Sequence, residues 1–590
     1  MGSRPDSQPV MIVEDGQSAP ARPAHHGPIS ALRTVFHEER FFLVLSVFIG
    51  VFAGLAVVCF RFTIDWFRIY LLGSGAQPSA MRLILVPAVS GLIIAVFVIH
   101  VFPLARGSGV NQTKAALYIF NGYVPFRTAV GKFLMSALAI GSGFSLGPED
   151  PSLQIGACIA SAIGARMRLS RDRMRLIAPV GAAAGLAAAF NAPISAVLFV
   201  IEEVIGRWTA GILGSVVLSA ISSVVVMRWF LGSESLFRIP PVVLSRPSEL
   251  IAYAILGILG GFASVVFASG IGYFRPKFKA MAQWTQYLQP ALAGLLIGAI
   301  GWLGAPQVMG AGYEYMDDAI HGQFTWQFLA ILAGVKILAT LLSFVSGTPG
   351  GMFAPTLFIG CMLGAAVGGA AHAILPHLAF STGTYALVGM GVLFAGFLRA
   401  PMTSVFMVLE LSQNYTIIVP VIVANTFAYW ISRALQPVAI FDILTRQDGL
   451  ELPSMEEQRE ENILRVEDAM QPPPETLLED DDTFDRALRV FDRTGKDVLL
   501  VRMKPLGWSN LDRDQAKSMI EKGKGSEPLT AALDAEQIPG LHPDHPLDMA
   551  LRYVDRWRLV PVVNRAKLTQ LEGVITQRDV LERYRDFGGE

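Results

Sequence analysis

Apolar residues in this chain gather into long, nearly uninterrupted runs. Stretches 41–60, 83–102, 212–230, 256–271, 328–345 and 417–431 are almost wholly hydrophobic. Several approach the ~20 residues that a helix needs to cross a bilayer. Near residue 445 the pattern changes, and Glu456-Glu457-Gln458-Arg459-Glu460-Glu461 opens an ordinary mixture of polar and apolar positions. The pattern predicts an all-α membrane domain over 35–445 and a soluble α/β domain over 464–590. A linker, 446–463, joins them, and a polar, proline-bearing and partly disordered segment, 1–34, precedes them.

The membrane part repeats itself. At a shift of 204, Lys132 meets Lys336, Ser142-Gly143 meets Ser346-Gly347, Gly147 meets Gly351 and Pro151 meets Pro355. Ile155-Gly156 and Gly164 likewise meet Ile359-Gly360 and Gly368. Over 132–164 about a dozen positions are identical, where apolar composition alone gives roughly three. At neighbouring shifts Gly107-Ser108-Gly109 meets Gly310-Ala311-Gly312, and Ala192-Pro193 and Glu202 meet Ala400-Pro401 and Glu410. Two inverted-topology repeats are expected, about 40–232 and 250–445. The repeated segments 143–151 and 347–355 are rich in glycine and proline, which stop one helix and open the first turn of the next. Broken, re-entrant helices follow, and irregular backbone at membrane depth is tolerated only inside protein or beside a water-filled cavity. Helix N-termini aimed into such a cavity present bare N–H groups and the positive dipole end. Two of them, one from each repeat, hold an anion without a full positive charge, weakly enough for release. Anion transport follows from this reading.

Composition agrees. Of 590 residues 52% are hydrophobic and only 16% charged, against roughly a quarter charged in soluble chains. A net charge of −1 argues against nucleic acid as a partner. Cys59, Cys158 and Cys361 lie far apart in apolar segments, and the nine histidines form no metal-binding spacing. No metal site and no required cofactor are expected. No nucleophile–base constellation or phosphate loop supports an enzyme. The N-terminal segment has no apolar core of a cleaved signal.

Gly107-Ser108-Gly109-Val110, Gly147-Pro148-Glu149-Asp150-Pro151 and Gly351-Met352-Phe353-Ala354-Pro355 resemble, in order, the three anion-site signatures of the CLC (voltage-gated chloride channel) family. Phe190-Asn191-Ala192-Pro193 leading to Ile201-Glu202-Glu203 matches as well. The resemblance implies a chloride/proton exchanger. In it Ser108 lends its hydroxyl to the anion, with Gly109, Gly147, Met352, Phe353 and Ala354 around it. Glu149 is the gating glutamate: ionised, it occupies an anion site, and protonated, it swings away. Glu203 corresponds to the glutamate that receives protons from the cytoplasm in exchangers, where channels generally carry an apolar residue. Glu202 and Glu410 read as pairing or capping groups. The family's inner tyrosine is replaced by Phe441, which keeps the bulk and loses the hydroxyl. Asn111 stands in place of a proline, and Pro148 and Asp150 flank the gate where a basic residue and glycine are usual. Asp150 before Pro151 is also a favourable helix cap. Its charge acts on Glu149, weakens anion binding or faces away, and the sequence leaves these open.

The tail resembles a pair of CBS domains. Thr483–Val490 reads as a helix before the strand Val498-Leu499-Leu500-Val501, and a second unit starts at Pro546. Gly573-Val574-Ile575-Thr576-Gln577-Arg578-Asp579 matches the place where such pairs bind the ribose and phosphate of an adenine nucleotide, through Thr576 and Asp579. Gly507-Trp508-Ser509 is its imperfect counterpart. The resemblance further implies a homodimer in a lipid membrane, here a bacterial inner membrane, with both termini cytoplasmic and chloride and protons as the transported species. A passive channel of the same fold is the alternative. A CBS-regulated magnesium or other cation transporter needs clustered acidic ligands, and the acidic residues here are isolated.

Overall fold

The computed structural model describes residues 38–73, 79–206, 210–232, 237, 249–374, 381–450, 452, 464–504, 507–531, 533, 538–564 and 570–587. Segment 1–34 and most of the 446–463 linker lie outside these. The chain forms two compact units, 1–459 and 460–590. Among the described residues, eight helices of the first unit are long and apolar enough to cross a membrane.

The first repeat contains α1 (Glu38–Phe67), α2 (Ala80–His100), α3 (Gly109–Tyr118), α4 (Phe126–Gly141), α5 (Glu149–Met167), α6 (Arg171–Phe190), α7 (Pro193–Phe199) and α8 (Ala210–Leu231). The second contains α9 (Glu249–Lys279), α10 (Thr285–Trp302), α11 (Tyr313–Ile320), α12 (Trp326–Val345), α13 (Phe353–Ile374), α14 (Thr382–Leu398), α15 (Pro401–Ser412) and α16 (Ile418–Leu435), followed by α17 (Ile440–Gln447). At 1.5 Å per residue, the ten residues of α3 and the eight of α11 reach about half of a ~30 Å hydrocarbon layer. They are half-helices.

The chain leaves helical geometry at 142–148 and again at 346–352. Gly143 (φ +105°) and Gly347 (φ +85°) make the turns, in a region that side-chain-bearing residues avoid. Each turn needs partners for its backbone. Gly147 and Gly351 supply them to each other, with the Gly147 amide donating to the Gly351 carbonyl at 2.8 Å and the reverse bond at 2.9 Å. The buried lysines tie down a second loop in each half. Lys132 donates to Gly107 O (2.6 Å) and Ala105 O (3.3 Å), and Lys336 donates to Gly310 O (2.8 Å) and Val308 O (3.0 Å).

The contacts between repeats are reciprocal. Glu202 accepts from the Met402 and Thr403 amides that open α15, and Glu410 accepts from the Ile194 and Ser195 amides that open α7. Both glutamates are caps. Gly147 and Gly351, equivalents that bond to each other, stand at the centre of this exchange. Such reciprocity is that of two halves related by a pseudo-two-fold axis, the relation of inverted-topology repeats.

Small residues let the helices cross closely in both halves. A methyl group at Gly156 of α5 would lie 2.1 Å from Gly181 O of α6, and one at Gly360 of α13 would lie 2.1 Å from Gly389 O of α14. Phe48, Phe52, Val225, Phe262, Val266 and Trp430 are exposed on the outer helices, a face suited to lipid.

The second unit repeats an α-β-β-α order. Its first copy is α18 (Phe484–Thr494), β2 (Val498–Arg502), β3 (Trp508–Asp512) and α19 (Arg513–Glu521), with the short β1 (Leu478–Glu479) parallel to β2. Its second is α20 (Leu547–Val554), β4 (Val560–Val563), β5 (Leu571–Ile575) and α21 (Gln577–Phe587). Strand alternation builds the core: Leu499 and Val501 of β2 enter one apolar cluster with Phe484 and Phe491, and Leu500 enters the other with Leu547 and Val560.

Candidate functional site

The N-termini of α3, α5 and α13 converge on a pocket lined by Ser108, Asp150, Met352, Phe353 and Phe441, closed by Phe344 and Leu398. The helices start where glycine and proline break the chain, so these residues are presented end-on rather than along a helix face. Ser108 caps α3, its oxygen accepting from the Val110 amide at 3.2 Å.

Glu149, the first residue of α5, is 0% exposed. Its carboxylate accepts from the Tyr313 hydroxyl and, at 3.3 Å, from the Ala354 amide. The first repeat therefore supplies the acid, and the starts of α11 and α13 in the second repeat supply the donors. Tyr313 carries no signature of its own. It directly follows Gly310-Ala311-Gly312, the counterpart of Gly107-Ser108-Gly109, and that register was the available signal.

Asp150 faces the other way. Its Oδ1 accepts from the Ser108 hydroxyl at 3.0 Å and the Val110 amide at 3.2 Å, and its Oδ2 accepts from the Gly109 amide at 2.8 Å. Lys132 Nζ lies 3.8 Å from Oδ2. Asp150 therefore lines the pocket and caps α3, not its own helix, which starts without a side-chain cap. The amides of Gly109, Val110 and Ala354 are thus held by the chain's own carboxylates, and the Gly147 amide by the Gly351 carbonyl.

Glu203 lies in the π-helical turn Val200–Ile205 after α7 and is 3% exposed. Lys114, 1% exposed and in the middle of α3, donates to it. Lys114 Nζ is also 3.9 Å from Asp442 Oδ1 and 5.8 Å from the centre of the Phe441 ring. An ionisable residue at this depth is a functional candidate, and Lys114 was legible on that ground alone. Phe441 packs edge-on against Phe199 (6.3 Å) and lies 6.4 Å from Phe353. The side chain of Asn111 donates to Phe441 O at 3.0 Å, which a proline at 111 cannot do.

In the tail, the Thr576 amide and hydroxyl donate to Asp579 Oδ2 at 2.8 and 2.6 Å, and Gln471 donates to Oδ1 at 3.1 Å. The two candidate nucleotide residues are brought together at the start of α21, bonded to each other. Among the described residues no three His, Cys, Asp or Glu side chains are grouped to hold a metal.

Known proteins share these features. The sequence profile described as "Voltage gated chloride channel" matches residues 90–433, and that of the CBS domain matches 534–586. The chain is 31% identical over 425 residues to a putative chloride channel protein ClcB-like of Ralstonia nicotianae, covering 70% of this chain and 99% of that protein. It is 31% identical over 412 residues to the H(+)/Cl(-) exchange transporter ClcA of Vibrio campbellii, covering 67% and 87%. Among solved structures, a slow cyanobacterial Cl-/H+ antiporter superposes with a TM-score of 0.64 at 24% identity over 69% of this chain and 98% of that one. A eukaryotic CLC transporter does so with a TM-score of 0.61 at 19% identity over 94% and 99%. These likenesses establish the fold. Broken paired helices, a buried glutamate at their meeting point and the matched profile lead to one assignment: the chain belongs to the voltage-gated chloride channel (CLC) family and carries a CBS domain near its C-terminus.

Proposed function

We propose that this protein exchanges chloride for protons across the membrane, with Glu149 as the carboxylate that anion and proton contest. The observation that carries the reading is the seat of Glu149 on the Tyr313 hydroxyl and the Ala354 amide. Ionised, Glu149 satisfies donors that otherwise suit an anion. Protonated, it gives up most of its attraction to them, leaves, and frees the seat for chloride. One site is therefore occupied by a carboxylate or by a halide, and each turnover moves a proton against an anion. The name of the Vibrio campbellii relative supports the same pairing of ions.

Glu203 is the inner proton acceptor of this scheme. A proton arriving there competes with Lys114, and Asp442, 3.9 Å from Nζ, is the second carboxylate toward which the released lysine turns. Ser108, Met352, Phe353 and Phe441 surround the anion between the two glutamates. The protein acts as a homodimer in a bacterial inner membrane with both termini cytoplasmic, a placement supported by the charged α/β tail. An adenine nucleotide at the tail has to break the mutual bond of Thr576 and Asp579, and calorimetric titration of ATP and AMP into the full-length protein tests this.

Passive conduction is favoured by one feature, the phenyl ring of Phe441, which offers a departing anion no hydroxyl. Proteoliposomes under a chloride gradient separate the readings. Exchange drives protons uphill, whereas chloride flux without proton movement means a channel.

A further inference from the structure

Two carboxylates follow one another at the start of α5 and point apart. Glu149 reaches into the second repeat. Asp150 turns back to the first, where Ser108 Oγ, the Gly109 amide and the Val110 amide donate to it at 3.0, 2.8 and 3.2 Å. Lys132 Nζ stands behind at 3.8 Å. A hydroxyl, two amides of a helix start and a nearby cation form a donor set for any compact anion. Here the chain fills it with its own side chain, 2% exposed and lining the pocket of Phe353 and Phe441. The scaffold itself does not demand this. The equivalent of Asp150 in the second repeat is Ala354, and α11, the equivalent of α3, begins without a side-chain cap.

We propose that Asp150 is a second built-in anion of the pathway, seated on Ser108, and that chloride binds at this seat only by displacing it. The proposal rests on the exchange reading and deepens it, since it names the residue that sets how strongly the inner half of the pathway holds chloride. With both carboxylates seated, the wild-type protein meets chloride with its best donors already engaged. Affinity is then low, and an anion passes Ser108 only during an excursion of Asp150. A cap with a purely structural role makes the same three hydrogen bonds, and the two roles differ in what removal of the charge does. Asparagine at 150 keeps an acceptor for the Gly109 amide and loses the charge. Glycine loses both.

The test is calorimetric titration of chloride into full-length wild type, Asp150→Asn and Asp150→Gly, with chloride flux measured from proteoliposomes of each. Both variants are expected to bind chloride at least tenfold more tightly than wild type. Unchanged or weaker binding in the variants, with wild-type flux intact, overturns the proposal alone. No flux from any of the three chains overturns the exchange reading and the proposal with it. A bromide-soaked crystal of the wild-type protein tests the same claim without any substitution. An anomalous peak beside Ser108 while the Asp150 carboxylate still holds the Gly109 and Val110 amides overturns it; a seated carboxylate with no peak there supports it.

Discussion

Residue 149 opens α5 in the first repeat and residue 353 opens α13 in the second. Each follows a broken turn with a positive-φ glycine, and each is two residues before a proline. One segment reads Glu149-Asp150-Pro151 and the other Phe353-Ala354-Pro355. The backbone of the duplicated unit is shared, down to the paired bonds of Gly147 and Gly351, while the charge is confined to one copy. The first repeat brings the carboxylates, and the second brings a phenyl ring, a tyrosine hydroxyl and a bare amide. Geometry is thus inherited by both halves, and function arises from the positions where they stopped being alike.

That asymmetry is most sharply tested at its centre. Glu149→Gln should abolish coupled proton movement while chloride flux persists in the same proteoliposomes; coupling that survives would assign the proton to another carboxylate. The Lys114–Glu203 pair, which has no counterpart on α11, should show the next largest effect. Removing one member of a buried pair strands the other at a cost of about 3–5 kcal/mol. Lys114→Met should therefore lower thermal stability in detergent strongly, and Lys114→Met combined with Glu203→Gln should regain most of it. Additive losses in that double variant would mean that the two do not form a functional pair.

Tyr313 is the second repeat's hold on the gate, at the position where the first repeat has Val110. A hydrogen bond to a charged acceptor contributes about 1.5–3 kcal/mol, so Tyr313→Phe should loosen Glu149 and raise chloride flux about tenfold. A flux equal to wild type removes Tyr313 from the gate. The smallest effects belong where the halves are still alike. Glu202→Gln and Glu410→Gln weaken equivalent caps and should each lower stability by about 1 kcal/mol. Markedly unequal shifts in melting temperature would show that the reciprocal pattern is not equally borne by the two sides.

Much of this architecture was legible in the chain. The duplication and the broken segments follow from glycine and proline at repeated spacing, because backbone geometry is dictated locally, whereas Ser108, Glu149 and Glu203 stood out only through the resemblance of their motifs to the CLC signatures. The partners were not legible. Asp150 meets Ser108 across 42 residues, Lys114 meets Glu203 across 89, and Tyr313 meets Glu149 across 164. Each contact depends on which helix ends converge, and a local reading of Asp150-Pro151 as a cap of its own helix pointed the side chain to the wrong neighbour. Asn111 shows the same limit, since its amide bond to Phe441 O spans 330 residues.

The Gly147–Gly351 bridge bears on how such a protein can open alternately to either side. Many carriers rock one half against the other about a fixed substrate. Here that motion would have to tear a short two-bond β-ladder at the very pivot, along with the amides anchored to Glu202 and Glu410. With the halves joined in this way, a swing of individual side chains disturbs fewer of these bonds than a rotation of one half against the other.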